Sequence, residues 1–291
     1  MLAALAAWPA QAALNVLATV PELAALAQEI GGDKVIVASA TTAAQDPHRI
    51  EARPSLIARA RNADLVIATG AELEIGWLPV LQRESGNARI QPGRPGYFEA
   101  ARFVTLIEKP AVLDRSQGDV HADGNPHLHL DPRNIAAVAD VLAARLAELD
   151  AANAAHYAAR LKDFRSRWQA AVTRWQTQAA PLKGVSVVEH HKNWSYLLHW
   201  LDMRSAFTLE PKPGVEPSVA HLGEVLARQK SEPAKMVLYT NYQSPRASQW
   251  LAERAGIKAV QLPFTVGASE AARDLFGLYD DILARLLGAL K

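Results

Sequence analysis

The apolar positions in the first half of the chain change repeatedly between two periodicities. Short runs that are apolar throughout are typical of buried strands, and apolar positions three and four residues apart are typical of amphipathic helices. The predicted elements are a strand at 14–20, a helix from Pro21 to Ile30, a strand at 35–40, a helix from Pro54 to Ala60 and a strand at 65–69. Strands that alternate with helices in this order predict an α/β lobe.

A long helical pattern follows this lobe. Apolar residues recur at helical spacing after Asp131, and a stripe of large apolar side chains continues the helical pattern from 151 to 180. The second stretch predicts a helix of about 28 residues, roughly 40 Å long at 1.5 Å per residue. A helix of that length suits a connection between two lobes better than a place inside one lobe.

A second series of short apolar runs and amphipathic stretches follows the long helix. It predicts a strand at 185–188, a helix at 219–229, a strand at 236–239, a helix at 245–255, a strand at 259–262 and a final helix from Ser269. We therefore predict two similar α/β lobes, at 13–150 and 183–291, joined by one bridging helix at 151–182, with a cleft between the lobes.

The composition excludes several classes of function. A chain of 291 residues is long enough for about two domains. Its net charge of +1 gives no electrostatic reason to expect nucleic acid or an anionic membrane as a partner. Because the chain has no cysteine, disulfides, thiolate metal sites and a lipid-modified cysteine are excluded, and any metal ligand must be His, Asp, Glu or a backbone oxygen.

The first twelve residues are apolar and end in Ala10-Gln11-Ala12, the small-x-small pattern of a signal-peptidase site. We interpret 1–12 as the remnant of an export signal, with a first core strand or helix as the alternative. Twelve apolar residues are too few to span a hydrocarbon layer of about 30 Å. Export without a cysteine anchor predicts a soluble protein of the periplasm.

One stretch, from Gly124 to Pro132, is built to hold an imidazole in a fixed direction. Pro126 fixes its own φ and keeps Asn125 extended, and Asp131-Pro132 predicts an N-cap followed by a first-turn proline. His127 lies between these two constraints. We therefore expect its side chain to be aimed, as a metal ligand requires.

Other candidate ligands lie at comparable positions. His48 follows the second predicted strand, and His190-His191 follows the strand at 185–188, where loops gather at one edge of an α/β sheet. One ring of the His190-His191 pair should face the cleft and the other should face away. An acid on the last helix completes the set, and periodicity leaves Asp274 and Asp281 open as alternatives.

Four motifs resemble those of the zinc and manganese ABC-transporter solute-binding proteins, in the same order along the chain. The first is Asp46-Pro47-His48 with Glu51, Pro54, Ala63-Asp64-Leu65-Val66, Gly70 and Leu73-Glu74-x-x-Trp77-Leu78. The others are Asn125-Pro126-His127-Leu128-x-Leu130-Asp131-Pro132, His191-x-x-Trp194-Ser195-Tyr196 and Pro213-Gly214-Val215-Glu216-Pro217-Ser218. The resemblance covers residues 14 to 291. Departures are His129 in place of the family's usual tryptophan, Lys192 in place of an acid and Trp194 in place of phenylalanine.

The resemblance implies a metal ion between two α/β lobes bridged by one long helix. Carried over by position, the ligands are His48, His127, His191 and Asp274. It further implies capture of periplasmic metal and delivery to an ABC-type membrane permease, without catalysis. A periplasmic metallochaperone is a further candidate partner, and we expect the protein to be a monomer.

Three imidazoles and one carboxylate are the ligand types that Zn²⁺ accepts in tetrahedral geometry, whereas Mn²⁺ prefers more oxygen. Zinc is therefore the expected ion. The polar segment 114–124 precedes His127, and we interpret Asp119, His121 and Asp123 as residues that help to collect the ion, with a solvated loop as the alternative.

Three other functions remain open from the sequence. One is a manganese or iron solute-binding protein of the same family. Another is a zinc hydrolase, which needs an open coordination position and a base such as Glu189 or Glu210. The third is a binding protein for an organic solute, with incidental histidines. The hydrolase has the least support, because the chain has no His-Glu-x-x-His helix and no Gly-x-Ser-x-Gly elbow.

Overall fold

The computed structural model describes residues 12–110, 118 and 120–291. The N-terminal lobe is built on a four-stranded parallel sheet in the order β2-β1-β3-β4. Its elements are β1 (Leu14–Ala18), α1 (Pro21–Gly31), β2 (Val35–Ser39), α2 (Pro54–Asn62), β3 (Leu65–Ala68), α3 (Leu78–Ser85), β4 (Tyr97–Glu99) and α4 (Pro132–Leu149). All four residues of β3 are buried, which explains its unbroken run of apolar side chains.

The C-terminal lobe repeats the same plan, with a parallel sheet in the order β6-β5-β7-β8. Its elements are β5 (Ser186–Glu189), α6 (Ser195–Trp200), β6 (Arg204–Thr208), α7 (Val219–Ser231), β7 (Met236–Thr240), α8 (Arg246–Ala255), β8 (Lys258–Leu262) and α9 (Leu275–Ala289). The prediction of two similar α/β lobes is confirmed.

The predicted long helix is present as α5, from Ala154 to Gln178. Its large side chains are buried in a core that includes residues of both lobes. Trp168 and Trp175 pack against Tyr279 of α9, with ring centres 5.5 and 4.8 Å apart. Each indole also donates a hydrogen bond, Trp168 to the Pro132 carbonyl at 2.8 Å and Trp175 to Asp280 at 2.6 Å. The helix therefore ties α4 of the first lobe to α9 of the second.

The prediction for the last helix is wrong at its start. Residues 269–274 form bends and irregular backbone, and α9 begins at Leu275. Asp274 is the N-cap, since its Oδ1 accepts a hydrogen bond from the Gly277 backbone amide at 2.7 Å. Apolar periodicity extends across this boundary, so the pattern did not reveal where the helix begins.

The short elements α3, β4, α6 and β6 were not predicted. They have three to eight residues each, too few for a clear periodic pattern. In the part of the chain that the structure describes, no helix is both long enough and apolar enough to cross a bilayer. The signal-peptide interpretation concerns residues 1–12, of which 1–11 lie outside the described residues.

Candidate metal centre

His48 lies in the segment between β2 and α2, and three contacts hold this segment and the His48 ring in place. The Trp77 indole donates a hydrogen bond to the Pro47 carbonyl at 3.0 Å. Asp46 Oδ1 accepts from the His48 backbone amide at 3.0 Å and lies 2.8 Å from His48 Nδ1. The other ring nitrogen, Nε2, is buried and has no hydrogen-bond partner among the residues that the structure describes. The ring is thus fixed through one nitrogen and keeps the other for a ligand.

His127 lies just before the turn that leads into α4. Its backbone amide donates to Asn125 Oδ1 at 2.9 Å, and the Asn125 side-chain amide reaches the Lys192 carbonyl of the second lobe at 3.0 Å. The His127 side chain is buried, and within the described part of the chain its Nδ1 has no hydrogen-bond partner. The predicted N-cap is confirmed, because Asp131 Oδ1 accepts from the Arg133 amide at 2.9 Å.

His191 follows β5 and is fixed through its Nδ1, which lies 2.6 Å from Glu210 Oε2. The same carboxylate oxygen accepts a hydrogen bond from the Gly214 amide at 2.7 Å. His190 takes the opposite direction and contacts Ser248 Oγ at 3.1 Å, in the interior of the second lobe. The pair therefore divides as expected, and His191 is the member that faces the cleft.

The three rings approach one another from both lobes. The ring centre of His48 lies 5.4 Å from that of His127 and 6.2 Å from that of His191, and His127 and His191 are 6.0 Å apart. Three imidazoles bound to one tetrahedral zinc at about 2.0–2.1 Å have ring centres roughly 5 Å apart. Accordingly, no group of three or more His, Asp or Glu side chains among the described residues is arranged to hold an ion without adjustment. The two longer distances both involve His191, so an approach of roughly 1 Å between the lobes would complete the geometry.

The electrostatic environment differs from ring to ring. Burial lowers the pKa of His127 well below its ordinary value, and the neighbouring His48 and His191 lower it further. Burial also lowers the pKa of His191, but the hydrogen bond to Glu210 and its charge outweigh burial, and the pKa is raised. Burial opposes ionisation of Asp46, but the hydrogen bond from His48 prevails and lowers the pKa of that carboxyl. Asp46 and Glu210 thus form the outer carboxylates that usually orient metal-binding histidines.

Neither of the two candidate acids near the end of the chain joins the histidines. Asp274 is exposed and caps α9 through the hydrogen bond to Gly277. Asp281 accepts from Ser269 Oγ at 2.6 Å and pairs with Arg285 at 2.9 Å. Among the described residues, no hydrogen bond, ion pair or ring contact links either acid to His48, His127 or His191. The structure therefore leaves the acid implied by the resemblance outside the histidine cluster.

The segment ahead of His127 has one member near the cluster. The His121 ring centre lies 5.3 Å from that of His48. Asp123 is exposed, and Asp119 lies outside the described residues. His129 packs beneath the site, with Nε2 at 2.9 Å from the Phe264 carbonyl and Nδ1 at 3.2 Å from Glu22. His129 therefore belongs to the structure that supports the site.

Sequence reasoning missed the part that Asp46 and Glu210 take in orienting the rings. Asp46 lies two residues from His48, which is a detectable signal, whereas Glu210 is nineteen residues from His191 along the chain. Glu189, the other base considered for a hydrolase, is fully buried and accepts from the Trp194 amide at 3.1 Å. Neither Glu189 nor Glu210 is arranged as a free base beside an open position.

Comparison with known proteins gives one consistent result. The model of a family described as zinc-uptake complex component A, periplasmic (ZnuA), matches residues 16–289. The high-affinity zinc uptake system protein ZnuA of Bacillus subtilis (strain 168) is 23% identical over 283 residues, which are 96% of this chain and 86% of that protein. The manganese ABC transporter substrate-binding lipoprotein scaA of Streptococcus gordonii is 30% identical over 151 residues, or 52% of this chain and 46% of that protein.

Solved structures share the fold. A ZnuA deletion mutant with zinc bound superimposes with a TM-score of 0.78 at 22% identity, over 95% of this chain and 98% of that chain. Likeness at this identity shows the fold alone. The arrangement of two parallel-sheet lobes with a long helix between them is therefore common to both chains.

Proposed function

The chain belongs to the zinc-uptake complex component A family of metal ABC-transporter solute-binding proteins, and from this premise we propose that it captures Zn²⁺ through His48, His127 and His191. The family is one of receptors and not of enzymes, and its members work with an ABC-type permease. In our proposal the protein acts in the periplasm as a monomer and delivers the ion to such a permease. A periplasmic metallochaperone remains a candidate partner for loading the ion.

The observation that carries this proposal is the convergence of three imidazoles from segments far apart in the sequence. Residues 48 and 127 belong to the first lobe and residue 191 to the second, yet their ring centres lie within 5.4 to 6.2 Å of one another. Among the described residues, one buried ring nitrogen each of His48 and His127 has no hydrogen-bond partner, so both nitrogens are available to an ion. One ion bound by all three would satisfy them and hold the lobes together.

The choice of zinc rests on the chemistry of these donors. Three neutral imidazoles are borderline ligands that suit Zn²⁺, whereas Mn²⁺ prefers sites richer in oxygen. The nearest carboxylates, Asp46 and Glu210, are bonded to ring Nδ1 atoms and therefore act on the ion through the histidines. Manganese is the second candidate, because a relative that matches half of this chain is named as a manganese ABC transporter substrate-binding lipoprotein.

The test is a metal competition with purified protein. Protein stripped with a chelator is equilibrated with buffered Zn²⁺ and Mn²⁺ together, and the bound metal is counted by elemental analysis. We expect one zinc per chain and no stoichiometric manganese, and we expect His127→Ala to lose the zinc. His199→Ala is the control, because His199 is exposed on α6. If the protein binds manganese in preference to zinc, the metal named in this proposal is wrong. If His127→Ala binds as much zinc as wild type, the assignment of the site is wrong.

A further inference from the structure

Three histidines leave one tetrahedral position around the ion to be filled. The two nearest carboxylates are engaged, since Asp46 accepts from two groups of His48 and Glu210 accepts from His191 and Gly214. On another side of the cluster, the Phe264 ring stands edge-on against His127, with ring centres 5.2 Å apart. A fourth donor must therefore reach the ion from a different direction.

His121 lies in such a direction. Its ring centre is 5.3 Å from that of His48, which is nearer than His191 is to His48. It lines a cavity of about 180 Å³ together with His127 and His191, and a neighbouring cavity of about 300 Å³ together with His48. The half-buried His121 side chain thus borders both cavities beside the cleft histidines.

The backbone around His121 is anchored to both lobes. The Ala122 amide donates to Glu72 Oε2 at 2.7 Å, which attaches the segment to the first lobe. Gly118 has φ +91° and passes so close to the second lobe that a Cβ there would lie 2.2 Å from the Pro213 carbonyl oxygen. Only glycine fits that position. These two contacts bracket His121 and hold it across the mouth of the cleft.

The residue that anchors the segment is itself in an unusual conformation. Ala71 and Glu72 both have positive φ, 49° and 64°, in a region that non-glycine residues rarely adopt. This turn follows β3 and places Glu72 against the segment that carries His121. Backbone strain of this kind is retained mainly where the surrounding structure or a function requires it.

Resting on the zinc site proposed above, we propose that His121 is the fourth ligand and that the ion is bound by four imidazoles. The four rings leave the charge of the ion to be balanced by Asp46 and Glu210 through the Nδ1 hydrogen bonds of His48 and His191. A site made only of nitrogen donors favours zinc over manganese. His121 is therefore both a ligand and the residue that sets the preference for the metal.

The test compares wild type, His121→Ala and the control His199→Ala in two measurements. Chelator competition gives the zinc dissociation constant, and X-ray absorption at the zinc edge counts the imidazoles bound to the ion. We expect four imidazoles in wild type and in His199→Ala, and three in His121→Ala. The dissociation constant of His121→Ala should rise at least tenfold, about the range seen when groups around a metal are removed. The ratio of zinc affinity to manganese affinity should also be smaller in His121→Ala than in wild type.

Each outcome decides between specific claims. Unchanged affinity and an unchanged imidazole count in His121→Ala would overturn the four-imidazole site and leave the three-histidine site in place. A wild-type protein that binds no zinc would overturn the proposed function, and the role of His121 with it. Three imidazoles in wild type, with His121→Ala identical, would assign the fourth position to another donor and also contradict our proposal.

Discussion

At the scale of single residues, two carboxylates determine how the cleft histidines behave. Asp46 and Glu210 each hold one ring through its Nδ1, which fixes the orientation of the ring and increases its basicity. No carboxylate of the described residues holds His127 in this way, and burial keeps the pKa of His127 low. In the proposed site we therefore expect a proton to compete with the metal mainly at His191, whose pKa is raised.

Glu210→Gln should change how zinc affinity depends on pH. As the pH is lowered, the zinc affinity of the wild type should already begin to fall above pH 6.5, the ordinary pKa of histidine. The reason is that His191, with its raised pKa, gains a proton before an ordinary histidine would. Without the Glu210 charge, burial lowers the pKa of His191, so the decline should start at lower pH. At pH 8 the variant should bind zinc roughly 10- to 100-fold more weakly, because the ring loses the negative charge of its outer partner.

Chelator competition between pH 5.5 and pH 8 measures both effects of Glu210→Gln. Glu216→Gln is the matched control, since Glu216 is an exposed acid in the same loop. A pH profile for Glu210→Gln that coincides with wild type would contradict the role given to Glu210.

Glu189→Gln should stabilise the metal-free protein at neutral and higher pH. Burial raises the pKa of Glu189 from 4.5 to about 7, so the folded chain holds a proton that the unfolded chain has lost. Stability is therefore lost as pH rises from 4.5 to 7, by roughly 3 kcal/mol for a shift of that size. Glutamine has no such charge, so the variant should gain stability relative to wild type by roughly 2 to 3 kcal/mol between pH 5 and pH 8. Urea unfolding with chelator at both pH values measures the gain, and a pH-independent difference would contradict it.

At the scale of elements, prediction succeeded where a pattern was long and failed where it was short. The helix at 154–178 and the buried strands were predicted from periodicity, whereas β4 and α6 are too short to show any. His48, His127 and His191 were predicted because each lies in a motif of its own. The apolar spacing does not change where α9 begins at Leu275. For this reason the pattern could not distinguish Asp274, which lies before the helix, from Asp281, which lies within it.

Asp274→Ala should lower stability and leave zinc affinity unchanged. The carboxylate caps α9, and loss of such a cap costs about 0.5–2 kcal/mol. Asp274→Ser keeps a hydroxyl that can accept the same hydrogen bond from Gly277, so it should recover most of the stability. Thermal unfolding and chelator competition on both variants give the two quantities. If both variants bind zinc much more weakly than wild type, Asp274 is a ligand after all.

At the scale of the whole molecule, the two lobes share one continuous core through α5. Buried residues of β1, α5, β5 and α9 belong to the same cluster, so neither lobe is free to swing far. The ring distances agree with this constraint, because they require an approach of only roughly 1 Å. We expect zinc to lock a nearly closed cleft.

Zinc should stabilise the molecule as a unit. At a hundred times the dissociation constant, bound zinc adds about 2.7 kcal/mol to the free energy of unfolding. For a chain of this size that gain corresponds to a rise in melting temperature of roughly 5 to 10 °C. Calorimetry with and without zinc measures it. His127→Ala should show almost none of the rise, and a full rise in that variant would contradict the assignment of His127.

The most direct test of the account is a crystal structure of the zinc-loaded protein with anomalous data collected at the zinc edge. We predict one anomalous peak in the cleft, at about 2.0–2.1 Å from one ring nitrogen each of His48, His127 and His191. A peak bound elsewhere, or three rings that remain as far apart as before with no ion between them, would contradict the account.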